Sequence, residues 1–314
     1  MENRSAQSQP ERAPDPRRIM LFGELLVDVF RDRASIGGAP FNVARHLRSF
    51  GMLPLLISRT GDDALGETLS VLLNLFQIDR MGIQIDAVHP TGQVRVCLHD
   101  GKHDFEILPD QAYDYIDAEE VRRVALTHTP SLVYFGTLAQ RNRESLAALQ
   151  TLLKTVEAPR LLDLNLRAPW YDSRVIRESL AAADVLKLNE DEFAVLAHVL
   201  DLSGRDISEW SQNLMKGFAL QKILVTMGAG GAWLLNADGT ETHVRGNPET
   251  SVMDTVGAGD AFAAVFILGL LQGWPDRLVL ERADAFARAV CGIRGAVPMD
   301  DRFYEPFVVD WATR

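Results

Sequence analysis

The chain alternates between short apolar runs and longer amphipathic stretches. RIMLFGE (18–24) and LPLLISRTG (53–61) predict buried strands, with an apolar-rich helix at 40–50 between them. GETLSVLLNLF (66–76) has helical spacing. SLVYFG (131–136), RLLDLNLR (160–167), DVLKLN (184–189) and KILVTMG (222–228) predict further strands. Helical spacing covers 142–157 and follows the strands at 160 and 184. Two long helical segments, about 257–273 and 276–294, close the chain. Strands alternating with helices imply βαβ units. The expected fold is therefore α/β, a doubly wound, mainly parallel sheet flanked by helices.

Two segments depart from that rhythm. GAWLLNADGTETHV (231–244) predicts a hairpin turning at Asp238-Gly239. TGQVRVCLHDGKHDFEIL (91–108) predicts another around Asp100-Gly101. The second interrupts the βαβ order and is expected to form a small β lid with about 27–36. Val94, Val96 and Leu98 would then bury one face of it. Residues 1–17 are polar and Pro-bearing. They predict a disordered leader ahead of a single domain over 18–314.

Composition narrows the classes. The 314 residues are 47% hydrophobic and 24% charged, an ordinary globular balance. The formal charge of −11 argues against a nucleic-acid partner. The longest apolar stretch, Ala261 to Leu271, is too short to span a bilayer, and the N-terminus lacks an apolar signal segment. Cys97 and Cys291 form no C-x-x-C pattern, so neither a disulfide framework nor a zinc site is expected. The seven histidines have no metal-ligand spacing and read as surface or loop residues. A cytoplasmic protein without a membrane partner is expected.

The segment Asp254-Thr-Val-Gly-Ala-Gly-Asp260 runs directly into the helical stretch AFAAVFILGLL. Its glycines let the backbone approach a ligand, and the helix start presents unshared amides to an anion. Asp260, in the first turn, could accept the proton of an attacking alcohol. Read alone, the segment is equally a glycine-rich turn with an aspartate placed where the helix dipole favours it. Gly37-Gly38-Ala-Pro-Phe-Asn42 likewise reads as a flexible turn or as a site for a polar ligand. Asp28 lies at a strand exit, facing either water or the hydroxyls of a ligand. Asp163, Asn165 and Arg167 alternate, so on one strand they share a face, as a structural network or as part of a site. Asn189 and Glu192 have the spacing of a helix cap, which is compatible with a ligand nearby.

D-T-x-G-A-G-D before an apolar helix, together with G-G-x-x-x-N-x-A near the N-terminus, resembles the two signatures of the ribokinase (PfkB) family of sugar kinases. The resemblance covers Arg18 to about Val297. It implies a ribokinase-like fold and transfer of a phosphoryl group from ATP to a sugar hydroxyl. By it, Asp260 is the catalytic base and Gly257, Ala258 and Gly259 form the anion hole. Asp28, Gly38, Asn42, Asn165 and Arg167 contact the sugar, joined by Arg95 and Phe105 if the hairpin covers it. Asn189, Thr226, Gly228 and Gly231 lie along the nucleotide, and Asp284 stands where an Asn is expected beside adenine. Glu192 orders Mg²⁺ through water, and Asp254 helps hold K⁺. G-E-x-x-x-D from Gly23 resembles fructokinases and 2-keto-3-deoxygluconate kinases more than ribokinases proper, and D-x-N-x-R followed by Trp170 resembles fructokinases. Fructose is therefore expected ahead of 2-keto-3-deoxygluconate and ribose. A homodimer paired through the lid is expected, and the rival class is a non-catalytic sugar sensor.

Overall fold

The computed structural model describes residues 15–29, 34–99, 102–204, 206–247 and 252–312, with the main chain alone for 96–99 and 102–105. The first half of the chain runs β1 (Arg18–Phe22), β2 (Leu26–Val29), β3 (Ala34–Gly37), α1 (Ala39–Ser49), β4 (Leu53–Gly61), α2 (Ala64–Leu75) and β5 (Ile83–Asp86). The hairpin β6 (Gly92–His99) and β7 (Lys102–Ile107) follows, then α3 (Ala118–Thr127), β8 (Leu132–Phe135) and α4 (Arg143–Thr155). Next come β9 (Arg160–Asp163), α5 (Ser173–Ala182), β10 (Val185–Asn189), α6 (Glu190–Leu200) and α7 (Ile207–Phe218). The chain ends through β11 (Lys222–Thr226), β12 (Gly231–Asn236), β13 (Glu241–Arg245), α8 (Ala258–Gln272), α9 (Asp276–Cys291) and α10 (Glu305–Ala312).

Nine strands form one sheet in the order β13-β12-β11-β10-β9-β8-β1-β4-β5. Pairing is parallel from β11 to β5, and β12 and β13 add an antiparallel edge. Side chains alternate across the sheet. On β1, Ile19 and Leu21 enter one core with α1, α2, α8 and α9, whereas Met20 and Phe22 enter the other with α3 to α7. β1 lies between β4 and β8, so the chain leaves it in both directions. That switch point opens a crevice at the carboxyl ends of the strands. The expected second sheet is present, with four strands in the order β3-β2-β6-β7.

The helix beginning at Ala258 is apolar all round, with Ala261 to Gly269 continuously buried. A helix of that kind belongs in the interior, and α8 packs between α1 and α9. Among the described residues, no helix is long and apolar enough to cross a membrane.

Several expectations need correction. The leader does not extend to residue 17. The Asp15 carbonyl accepts from Arg18 N (2.9 Å) and Ser131 Oγ (2.9 Å), and Arg17 O accepts from Leu53 N (2.8 Å). Residues 1–14 lie outside the described residues. β5 and α3 were not read from the pattern, and α10 follows the two helices expected to close the chain. His46 is no surface residue. It is fully buried on α1, with Nδ1 2.9 Å from the Tyr304 hydroxyl and its ring edge-on to Phe286. The strand expected over 160–167 ends at Asp163, because Asn165 takes a left-handed backbone (φ 41°). Asp163, Asn165 and Arg167 therefore do not alternate along one strand.

Candidate active site

The switch-point crevice holds about 470 Å³, a volume suited to a small ligand. One wall is the start of α8. Its N-cap is Gly257, at φ 79°, where a Cβ would stand 2.5 Å from the Ala296 Cα; only glycine fits. Ala258 N turns back to Thr255 O at 3.3 Å. No acceptor among the described residues meets the amides of Gly259 and Asp260, which head the helix beside the crevice.

Asp254 stands outside the crevice lining and fastens this loop. Its Oδ1 accepts from Val256 N and its Oδ2 from Gly295 N, both at 3.1 Å. The loop is thereby held against the turn that follows α9.

Asp260 faces the first turn of α1. Asn42 Nδ2 donates to its Oδ2 at 2.8 Å, while Asn42 Oδ1 is buried without a partner among the described residues. Burial raises the Asp260 pKa to about 6; the Asn42 hydrogen bond works against that, and the Asp163 charge adds to it. Asp28, on β2, is raised by burial to about 6, with Arg167 opposing. Its carboxylate fills the space beside Gly37 on β3, where a Cβ would come within 2.7 Å of Oδ2. Glu24 is buried and raised to about 7 by desolvation, against the hydrogen bonds of its own amide and that of Ala39.

The opposite wall comes from the ends of β9 and β10. Lys187 is buried in β10 and donates to both oxygens of Asp163, at 2.9 and 2.8 Å. Asp163 also accepts from the Tyr134 hydroxyl at 3.0 Å. Burial works against the Lys187 charge, but Asp163 outweighs it and holds the pKa above the ordinary value. Lys187 Nζ lies 3.7 Å from where a Cβ on Gly259 would stand, so a fixed positive charge adjoins the helix start. Sequence reasoning passed over Lys187. Its signal was a lone lysine within the apolar run DVLKLN.

Asn189 and Glu192 form a reciprocal cap on α6: Asn189 Oδ1 accepts from Glu192 N, and Glu192 Oε2 from Asn189 N, both at 2.9 Å. Glu192 Oε1 also accepts from Leu166 N at 2.8 Å, so one carboxylate shapes the 164–167 loop that brings Asn165 and Arg167 to the crevice. Its pKa is raised, first by burial and then by the Asp163 charge.

Most expected residues meet at this crevice: Asp28, Gly38, Asn42, Asn165, Arg167, Asn189, Glu192, Thr226, Gly257, Gly259 and Asp260. Others do not. Arg95 is corrected: β6 turns it to the face opposite Val94, where it is 60% exposed and 3.7 Å from Glu106. Val94 and Ile107, paired across the hairpin, face the crevice instead. The side chain of Phe105 lies outside the described residues. Gly228 and Gly231 flank a turn after β11, away from the crevice lining. Asp284 lines a separate hollow with Arg245, Arg277 and Glu281, and is ion-paired to Arg288 on its own helix.

Unshared helix-terminal amides, a neighbouring ammonium and a positioned carboxylate suit transfer of a phosphoryl group to a hydroxyl. A model of the pfkB family of carbohydrate kinases matches residues 12–302, and the chain belongs to that family. It is an ATP-dependent sugar kinase. A fructokinase from Klebsiella pneumoniae is 29% identical over 288 residues, covering 88% of this chain and 92% of that protein. An uncharacterized sugar kinase from Pyrococcus horikoshii, solved with ATP, matches with a TM-score of 0.75 at 26% identity, over 91% of this chain and 97% of that one. A double mutant of the fructokinase from Vibrio cholerae O395, solved with fructose, ADP and a potassium ion, shares the fold. Its TM-score is 0.75 at 22% identity, over 94% of this chain and 99% of that one.

Proposed function

We propose that this protein is a cytoplasmic fructokinase with Asp260 as its catalytic base. The observation that carries the reading is the placement of Asp260. It is anchored by Asn42 at 2.8 Å, on the same helix turn whose Gly259 amide is unshared, with Lys187 alongside. As the hydroxyl oxygen bonds to the γ-phosphorus and the bridge to ADP breaks, Asp260 takes the hydroxyl proton. The amides of Gly257 and Gly259, with Lys187, stabilise charge on the transferring group, while Ala258 N is held by Thr255 O. Bound ATP supplies that group, and Mg²⁺ balances its charge.

Glu192 fits a water-mediated role toward Mg²⁺. Both its oxygens already accept amides, which fixes the carboxylate at the crevice edge. A K⁺ site beside the 254–257 loop would use main-chain carbonyls, with Asp254 supporting the loop through its two amide contacts. Asp28, Gly38, Asn42, Asn165 and Arg167 would hold the sugar. Asn189 and Thr226 would lie along the nucleotide.

Fructose is favoured on two grounds. The Klebsiella relative is named a fructokinase. The sugar side of the crevice carries Asp28 and Asp260 against Arg167, which suits hydroxyl donors better than a sugar acid. The small sheet would close over the sugar, and its edge strands β3 and β7 would pair two subunits. ADP release measured with ATP and separate sugars tests the reading. Fructose should give higher kcat/KM than 2-keto-3-deoxygluconate or ribose, and faster turnover of either competitor would overturn the fructose assignment.

A further inference from the structure

Helix α1 begins without a cap of its own. Its N-cap is Gly38, which has no side chain to offer. The first amide of the helix, Ala39 N, is met from outside it. Glu24, fifteen positions earlier and just beyond β1, accepts that hydrogen through Oε1 at 3.2 Å. The contact is tight: a Cβ on Gly38 would stand 2.4 Å from the Glu24 carbonyl oxygen and 3.3 Å from its Cγ. Glu24 is only 4% exposed. Burying a carboxylate near Asp28 and Asp260 is costly, so its place there calls for a compensating role. An oxygen acceptor at a helix N-terminus is favourable, which fits the position.

One turn further on, the same helix carries Asn42. Its amide donates to Gly38 O at 2.9 Å, and its Nδ2 to Asp260 at 2.8 Å. A path of hydrogen bonds thus runs from Glu24 through the start of α1 to the carboxylate at the head of α8.

We propose that Glu24 is a positioning residue that stands in for the missing N-cap of α1 and so holds Asn42 in register with Asp260. The kinetic consequence rests on the reading of Asp260 as catalytic base; the structural consequence does not. Glu24→Gln keeps an acceptor oxygen for Ala39 N, and Glu24→Ala removes it, so the pair separates capping by that oxygen from the charge of the carboxylate.

The test compares both variants with the wild-type full chain. Hydrogen exchange is followed over residues 38–47 without ligand, and steady-state rates are measured with ATP and whichever sugar the wild type turns over fastest. Exchange over 38–47 should be at least about tenfold faster in Glu24→Ala and within about threefold of wild type in Glu24→Gln. The kcat of Glu24→Ala should fall at least about tenfold with KM for ATP within about twofold, and Glu24→Gln should recover most of that loss. Wild-type exchange in Glu24→Ala overturns the proposal, as does equal impairment of the two variants in both measurements. If Glu24→Ala does not fold, Glu24→Gln decides alone: exchange within about threefold of wild type supports the cap, and anything faster overturns it. A wild type with no sugar-dependent turnover would sink the kinase reading, leaving the exchange comparison to judge the cap.

Discussion

Asn42 and Asp260 stand 218 positions apart in the chain, yet the amide of one donates to the carboxylate of the other at 2.8 Å. The bond ties α1 to α8 and leaves Asn42 Oδ1 buried without a partner among the described residues, on a side chain that lines the crevice. A sugar hydroxyl would satisfy it. Asn42→Ala should therefore raise the sugar KM and lower kcat, together about 10–100-fold in kcat/KM, with KM for ATP little changed. An unaltered sugar KM would place Asn42 outside the sugar site.

Activity should depend on pH through the raised carboxylates. Asp260 acts as a base only when ionised, and burial holds its pKa near 6. Asp28 rises to about 6 from the same cause. A pH profile of kcat/KM should therefore climb through pH 6 and fall below it more steeply than a single proton allows. The linkage to stability has the opposite sign. Both groups bind protons more tightly folded than unfolded, so each costs the ligand-free protein stability above its folded pKa. That cost disappears as pH falls toward the ordinary carboxylate value. A flat acid limb between pH 5 and 7 would contradict these assignments.

Lys187 and Asp163 offer a test that separates stability from chemistry. Lys187→Met leaves a buried carboxylate whose only side-chain donor among the described residues is the Tyr134 hydroxyl, and should cost about 3–5 kcal/mol as well as kcat. Adding Asp163→Asn removes the stranded charge. The double variant should recover thermal stability while kcat stays at least about tenfold low, since the ammonium beside Gly259 is still missing. Recovery of both by the double variant would make the pair structural only.

The small sheet should respond to sugar. Val94 and Ile107 face the crevice from the hairpin, so closure over fructose would shield its main chain. Hydrogen exchange over residues 91–108 should slow on adding fructose with ADP. Exchange unchanged by a sugar that the protein phosphorylates would rule out a closing sheet.

Much of this was legible in the sequence because the informative residues are local. Short apolar runs and helical spacing located β1, β4 and β8 to β11. The glycines preceding Asp260 and Asn42 marked the starts of α8 and α1, which meet at the crevice. What escaped depends on contacts between distant segments. β5 is four residues long and pairs, among the described residues, only with β4, so it carries little pattern of its own. Lys187 reads as an intruder in an apolar strand until Asp163, on the neighbouring β9, is seen to hold it. His46 looks like a surface residue of α1 until the aromatic rings from α9 and from Tyr304 close over it. Arg95 was assigned by its presence on the hairpin, whereas the pleat decides which residues of that hairpin face inward. The strand at Asp163 could not be bounded from sequence either, because Asn165 adopts a left-handed conformation that Asn tolerates but does not announce.

The central claim is that Asp260 takes the proton of the sugar hydroxyl, and the kcat of Asp260→Asn with ATP and fructose tests it most directly. The substitution keeps an oxygen to accept from Asn42 and removes the basic carboxylate. It should lower kcat by about 10²–10⁴-fold while the Michaelis constants for ATP and fructose stay within a few-fold of wild type. A variant that retains more than about a tenth of the wild-type kcat would contradict the account.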